Sequence, residues 1–534
     1  MSTRQNLLRA SRVRLAVVFA ATLAVATSVS AAEFTWIGGG ADNNWSTDAN
    51  WLNGARPTPA SFPGSGTGTE SITFSGTSGG ISNIDIANAS GDARINILAF
   101  AEGAGALTIT SSENKRLVAA RINLAAGTTV TIDTALGLSN GATNSNNIQG
   151  TLTLNGAISG NGFIKGSGGT VYLNNTNSDY TGPTTITQGT VVVTKLADGG
   201  ANSSIGKGNS TPANGAQAQY LVLGNGASTS ARLTYAGAGD STNRLFTIHQ
   251  SGGTIESAGA GAVQFTNTGT IAVSGAGERA FNLRGTNTGR NLINGSIGDS
   301  AGTGVLRLNK MDSGTWILGG ANTYTGNTAI SDGTLIVNGS LLATGDVTVS
   351  ANARLSGNGS AGHVTASAGS IIAPGDGVGR LTVASMDLRA NTVLELDLAS
   401  DGSGTAGTDW DQLNVTGDLT LVALGSGNPL QIKLTTFTGA GEAGLLDSWD
   451  ASSNHTWASI VAFSGSVDYD NAERFVVDAD GFANTLNGVF NVVRNGNAFD
   501  LVYTAGAIPE PATCALISGL VMLGFIILRR RHRH

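Results

Sequence analysis

Side chains able to do chemistry are sparse in this chain, and few stand at useful spacings. Gly137-Leu-Ser139-Asn-Gly141 has the G-x-S-x-G spacing of a nucleophile elbow. That elbow exposes its serine between a strand and a helix. The residues that follow, Ala142-Thr-Asn-Ser-Asn-Asn147, carry no helical pattern, so a turn is expected. Gly357-Asn-Gly-Ser-Ala-Gly362 fits G-x-G-x-x-G, again without a following helix to offer its N-terminus to phosphate. His249, His363 and His455 each lack a second His or Cys at metal-ligand spacing. Asp409/Asp411, Asp468/Asp470 and Asp478/Asp480 stand two apart. Loops present oxygens to Ca²⁺ at that spacing, and solvated turns and strand edges use it equally. No cofactor is expected, with calcium the one alternative left open.

An enzyme acting on polysaccharide needs acids or bases converging along a groove. Residues 150–390 are poor in charge, and no periodicity brings two carboxylates together there. The expectation is therefore a protein that is not an enzyme. A carbohydrate-active β-helix enzyme, a polysaccharide lyase or hydrolase, is the alternative.

The elements that must position these residues are strands. Short β-like runs such as Thr151-Leu-Thr-Leu154, Thr190-Val-Val-Val193, Thr334-Leu-Ile-Val337 and Leu419-Thr-Leu421 recur between Gly, Asn and Asp. Alternation puts Thr outward and Leu, Val or Ile inward. Glycine makes up 77 of 534 residues, about twice the usual share, which suits a chain that turns often. Charged residues are 12%, half the usual share, at a net charge of −7. With 40% hydrophobic residues, disorder is excluded. Without a basic patch between the termini, so is nucleic-acid binding. The single cysteine, Cys514, leaves the body without disulfides, so backbone ladders and packing must hold it together.

An internal repeat organises the runs. Tyr180-Thr-Gly-Pro-Thr-Thr-Ile-Thr-Gln-Gly-Thr-Val-Val-Val193 matches Tyr324-Thr-Gly-Asn-Thr-Ala-Ile-Ser-Asp-Gly-Thr-Leu-Ile-Val337. Upstream, Gly169-Thr-Val-Tyr-Leu173 matches Gly314-Thr-Trp-Ile-Leu318. One such unit cannot bury its faces alone, but stacked units can. The fold class is all-β: a right-handed parallel β-solenoid (β-helix) over 81–386, at roughly 20–25 residues per coil. Leu173, Val191, Val193, Leu318, Leu335 and Val337 should point inward. A string of antiparallel sandwiches is the runner-up. Residues 32–80 form a Trp-rich opening, in which Trp36, Trp45 and Trp51 either cap the open end of the stack or offer sugar platforms. Residues 387–505 have longer runs and larger side chains, and read as a β-rich C-terminal domain.

Both termini carry addresses. Arg4, Arg9, Arg12 and Arg14 precede an apolar run from Leu15 to Ala26 and the small-x-small Val29-Ser30-Ala31. Residues 1–31 read as a signal peptide cut between Ala31 and Ala32, with signal peptidase as a partner. At the other end, Pro509-Glu510-Pro511 precedes an apolar segment, 512–528, at the lower limit for a transmembrane helix. Arg529, Arg530, Arg531 and Arg533 would hold its far end inside.

The tail over 507–534 resembles the PEP-CTERM sorting signal. The segments at about 163–193 and 307–337 resemble the autotransporter-associated β-strand repeat. Leu355-Ser-Gly-Asn-Gly359 with Ile372-Ala-Pro-Gly375 is similar to the coil that often follows such repeats. The resemblance implies a passenger-like β-helix exported to the cell envelope, cell surface or extracellular matrix, structural or adhesive in role. It implies anchoring in the inner membrane by the C-terminal helix, processing by an exosortase-like enzyme at Pro509-Glu510-Pro511, and exopolysaccharide or other matrix components as partners. One departure from an autotransporter is the absence of a barrel-like run of membrane strands after the repeats.

Overall fold

The computed structural model describes residues 31–506, apart from 77–78, 140–144, 210–216, 227–230, 343, 423, 439–440 and 469–473. The expected signal peptide up to Ser30, the Pro509-Glu510-Pro511 motif, the span 512–528 and the terminal arginines lie outside these residues. Among the described residues no helix is long and apolar enough to cross a membrane.

Strands of mostly three to seven residues alternate with turns and stack in register on the next coil. The pairing is parallel through most of the chain, consistent with a β-solenoid. Thr151 lies beside Thr170 and Thr170 beside Thr190, so one coil there takes about twenty residues. Three sheets run along the stack. The first extends from Glu33–Trp36 to Ser296–Ile297. The second begins at Gly80–Asn83 and continues past Arg380–Arg389. The third opens at Ala238–Thr242 and ends at Phe475–Gly481. Coils before residue 232 use the first and second sheets. Those between 238 and 297 use all three, and later coils use the second and third. The three-strand coils are longer: Arg279 pairs with Leu306.

Period-two alternation decides which side chains enter the core. On the second sheet one inner column reads Val130, Leu152, Val171, Val191, Leu233, Ile255 and Leu283, each in register with the next. All are buried, and each aliphatic side chain removed from water stabilises the fold by about 1.5–3 kcal/mol. Leu173, Val191, Val193, Leu318, Leu335 and Val337 are all inward, at 0–1% exposure. The outer columns carry Thr, as at Thr129, Thr151, Thr170 and Thr190.

The ladders do not break at 386/387. Arg380–Arg389 spans that point as one strand, pairing with Ser360–Ala366 on one side and with Gln412–Val415 and Leu419–Val422 on the other. Val393–Leu398 likewise joins Ile371–Pro374 to Leu430–Thr436. Larger side chains fill wider coils without a change of pairing mode. Among the described residues, antiparallel pairing between strands enters only where Ala498–Thr504 lies between His455–Phe463 and Val489–Asn495.

Candidate functional site

The features that the two repeat copies share are internal. Lys165 is fully buried, and its Nζ donates to the carbonyls of Ile148, Gly166, Ser167 and Gln188 at 2.6–3.3 Å. Lys310, its counterpart, donates to Met311, Asp312 and Asp332 at 2.6–2.9 Å. Ser167 and Asp312 reach this geometry with positive φ, 66° and 59°, which turns their carbonyls inward. Gly189 and Gly333 follow the next-coil carbonyls of Gln188 and Asp332. A Cβ at either would lie 2.8 or 2.7 Å from the ammonium, and φ there is 77° or 64°. Each lysine thus ties the turn of its own coil to the turn of the next. Burial pushes both ammonium groups down to about 8.

Each copy also buries a tyrosine on a threonine. Tyr180 Oη lies 2.6 Å from Thr184 Oγ1, and Tyr324 Oη lies 2.7 Å from Thr328 Oγ1. Burial raises both phenols far above their usual range. Neither phenol is placed for proton transfer, because each is sealed in the core.

The sequence motifs that suggested chemistry are dispersed. Ser139 follows the strand Leu136–Leu138 and lines a groove with Arg94, Arg116, Ser159 and Asn161. Among the described residues no histidine or carboxylate lines it. Gly357 ends one strand and Ser360 begins another, so the glycine-rich segment is strand, turn and strand. His249 has its Nδ1 buried, with burial and then Arg279 lowering its pKa. His363 faces the Ser385 and Thr365 hydroxyls. His455 has a carbonyl at each ring nitrogen, Asp401 O and Asp450 O, both at 2.8 Å.

Three of these acids, Asp409, Asp411 and Asp478, accept backbone N–H bonds. Asp411 is buried and accepts N–H bonds from Gly379 and Asp397 at 2.7 and 2.8 Å. Burial, and then the nearby Asp397, raise it well above the carboxylate range. Asp409 accepts the Thr405 N–H, and Asp478 the Asp480 N–H. Asp468 lies 3.9 Å from Arg474, and Asp470 lies outside the described residues. Among the described residues no three His, Cys, Asp or Glu side chains gather as metal ligands.

The opening tryptophans pack on one another. Trp51 meets Trp36 edge-on at 5.2 Å and Trp45 at 5.8 Å, and all three are at most 3% exposed. Trp45 Nε1 donates to Ser82 Oγ at 2.8 Å, and Trp51 Nε1 donates to Trp45 O at 2.9 Å. The rings form one buried cluster with Phe74 beside the first strands. No face is left on which a sugar could stack.

The sequence reading missed the lysine cages. The signal was present, since Lys165 and Lys310 sit at the same offset as the repeat, but a charge among strands reads as solvated. Arg244 and Arg279 are buried by the same device. Arg244 donates to Ala197 and Gly206 carbonyls, and Arg279 to those of Gly275 and Gly277.

The motif so built matches a family model, the Passenger-associated-transport-repeat, at residues 163–193 and 308–337. The chain is also similar to the adhesin BmaC autotransporter of Brucella suis biovar 1 (strain 1330), 47% identical over 142 residues. That stretch is 26% of this chain and 4% of the relative, so the chain spans only a small part of the relative's length.

Proposed function

We propose that this chain is an exported β-solenoid of the cell surface or extracellular matrix, adhesive or structural rather than enzymatic. The observation that carries the reading is the repeat itself. Two copies share a buried lysine cage, a Tyr–Thr pair and a turn glycine, and the likeness to an autotransporter adhesin accompanies them. These shared parts do structural work inside the stack, which leaves the outer surface as the interacting part. Protease shaving of intact cells tests it: tryptic peptides from 80–500 should appear in the medium. Release only after lysis would overturn the reading.

The finer reading is a right-handed solenoid delivered by a signal peptide cut before Ala32 and sorted through Pro509-Glu510-Pro511. In that reading the span 512–528 and Arg529, Arg530, Arg531 and Arg533 hold the chain in the inner membrane until an exosortase-like enzyme acts. Both prolines favour an extended backbone that a protease can read. Replacing Pro509, Glu510 and Pro511 by Ala should leave export intact and the tail uncut. Intact mass and membrane fraction equal to those of the wild type would show that the motif is not a sorting signal.

A further inference from the structure

Where the coils change from two strands to three, the outer face of the second sheet hollows into a groove of about 470 Å³. Along its floor the outward residues of successive rungs are Thr190, Arg232, Thr254, Asn282 and Asn309, each in register with the next. Asn309 Nδ2 donates to Asn282 Oδ1 at 2.8 Å, and Asn282 Nδ2 donates to Thr254 Oγ1 at 3.2 Å. The amides are thus oriented as a ladder. Thr254 is only 7% exposed, so the floor is deep as well as polar.

In the second outward column, which starts well before the groove at Thr108, Thr131 and Thr153, Tyr172 is in register with Val192, Thr234, Glu256 and Arg284 in turn. Tyr172 is 38% exposed, one rung before the groove. The charges in the groove are matched. Arg232 lies 3.2 Å from Glu256, and Arg284 lies 3.0 Å from Asp312.

We propose that this groove binds a neutral glycan chain laid along the solenoid axis. One ring would stack on Tyr172, and the hydroxyls would meet the Thr, Arg and Asn side chains rung by rung. The proposal rests on the surface reading above and names its ligand class. Rungs repeat every ~4.8 Å, and an extended chain of sugar rings advances by a comparable step per ring. Every hydroxyl both donates and accepts, as a floor of mixed amide, hydroxyl and guanidinium groups requires. A polyanion gains little, because both guanidinium groups already hold carboxylates. A peptide strand cannot add here, because these rungs are paired on both sides and offer no open edge.

Binding of the purified full chain to defined hexasaccharides tests the proposal. The neutral probes are β-1,4-linked glucose, β-1,4-linked N-acetylglucosamine and α-1,6-linked glucose, and the anionic one is hexagalacturonate. At least one neutral probe should bind with little dependence on salt. Tyr172→Ala and Asn309→Ala should each weaken it at least about tenfold while leaving the unfolding temperature unchanged. Thr108→Ala, outward on the same sheet but far from the groove, should leave binding as it is. The proposal falls if no neutral probe binds, if binding survives both Tyr172→Ala and Asn309→Ala, or if only hexagalacturonate binds and salt abolishes it. Protease shaving of cells is independent of these outcomes, so failure here leaves the surface location standing.

Discussion

Lys165 and Lys310 hold the same place in two copies of one motif, yet Lys165 stands on the first sheet and Lys310 on the second. The motif therefore specifies a local object and not a side of the molecule. That object is a strand, a turn whose carbonyls point inward, a second strand and a lysine joining two coils. The three-strand coils between the copies move the working pair of sheets round the axis by one face. A repeat that needs only its neighbours tolerates such a shift.

The cages should carry a measurable share of stability. Lys310→Met leaves the Met311, Asp312 and Asp332 carbonyls buried beneath an apolar side chain. Relief from burying a charge offsets part of that, and a net loss of about 2 kcal/mol is expected in chemical denaturation. The pH dependence has a definite sign. The folded ammonium titrates at about 8 and the unfolded one at about 10.4, so the unfolded chain binds more protons in between. Stability relative to the Lys165→Met/Lys310→Met double variant should therefore rise as pH goes from about 8 to about 10, and fall away as pH drops through 8. A difference flat across that window would contradict the burial of the two charges.

The two tyrosines should not respond alike. Thr184 Oγ1 also lies 3.2 Å from Ile205 O, so after Tyr180→Phe it still has an acceptor. Among the described residues Thr328 Oγ1 makes no such second bond, and Tyr324→Phe should strand its hydroxyl in the core. The expected losses are about 0.5–1 kcal/mol at Tyr180 and about 1.5–2 kcal/mol at Tyr324. Equal losses by thermal unfolding would show that Ile205 does not rescue Thr184.

The inward side chains were legible in the sequence because alternation alone assigns them: Leu335 and Val337 follow from Thr334-Leu-Ile-Val337. The change of sheets was not, because it depends on how many strands a coil uses, and Ala238–Thr242 is too polar to read as a strand. Its Gly239 and Asp240 argue locally for a turn, and pairing with Gly261–Phe265 overrides that. The polar groove was illegible for a related reason. Thr190 and Asn309 are 119 positions apart, and only the stacked register makes them neighbours on one floor.

Leu335 lies between Trp316 and Leu355 in adjoining coils and is fully buried. Leu335→Asp should cost several kcal/mol, about 3–5, as an unpaired charge in the core. Coils contact only their neighbours, so the damage should stay local. Limited proteolysis should cut first within about a coil of residue 335. Cleavage that begins at the N-terminal cap instead would mean that the stack melts as one unit.

The cap gives the complementary case. Trp51 touches Trp36, Trp45 and Phe34, and its Nε1 bonds to Trp45 O, so its ring is the hub of the N-terminal cluster. Trp51→Ala should remove about 3–5 kcal/mol, the usual range for deleting a buried aromatic ring. The first strand, Glu33–Trp36, has a full ladder only with Ser71–Phe74 among the described residues, and its other side is met by the single bridge of Trp36 to Trp51 itself, so it has the least to hold it once the ring is gone. Hydrogen exchange should then rise over 33–74 and fade along the stack, leaving amides beyond about 150 protected as before. Exchange raised equally at Trp457, near the far end, would show that the cap sets global stability rather than closing one end.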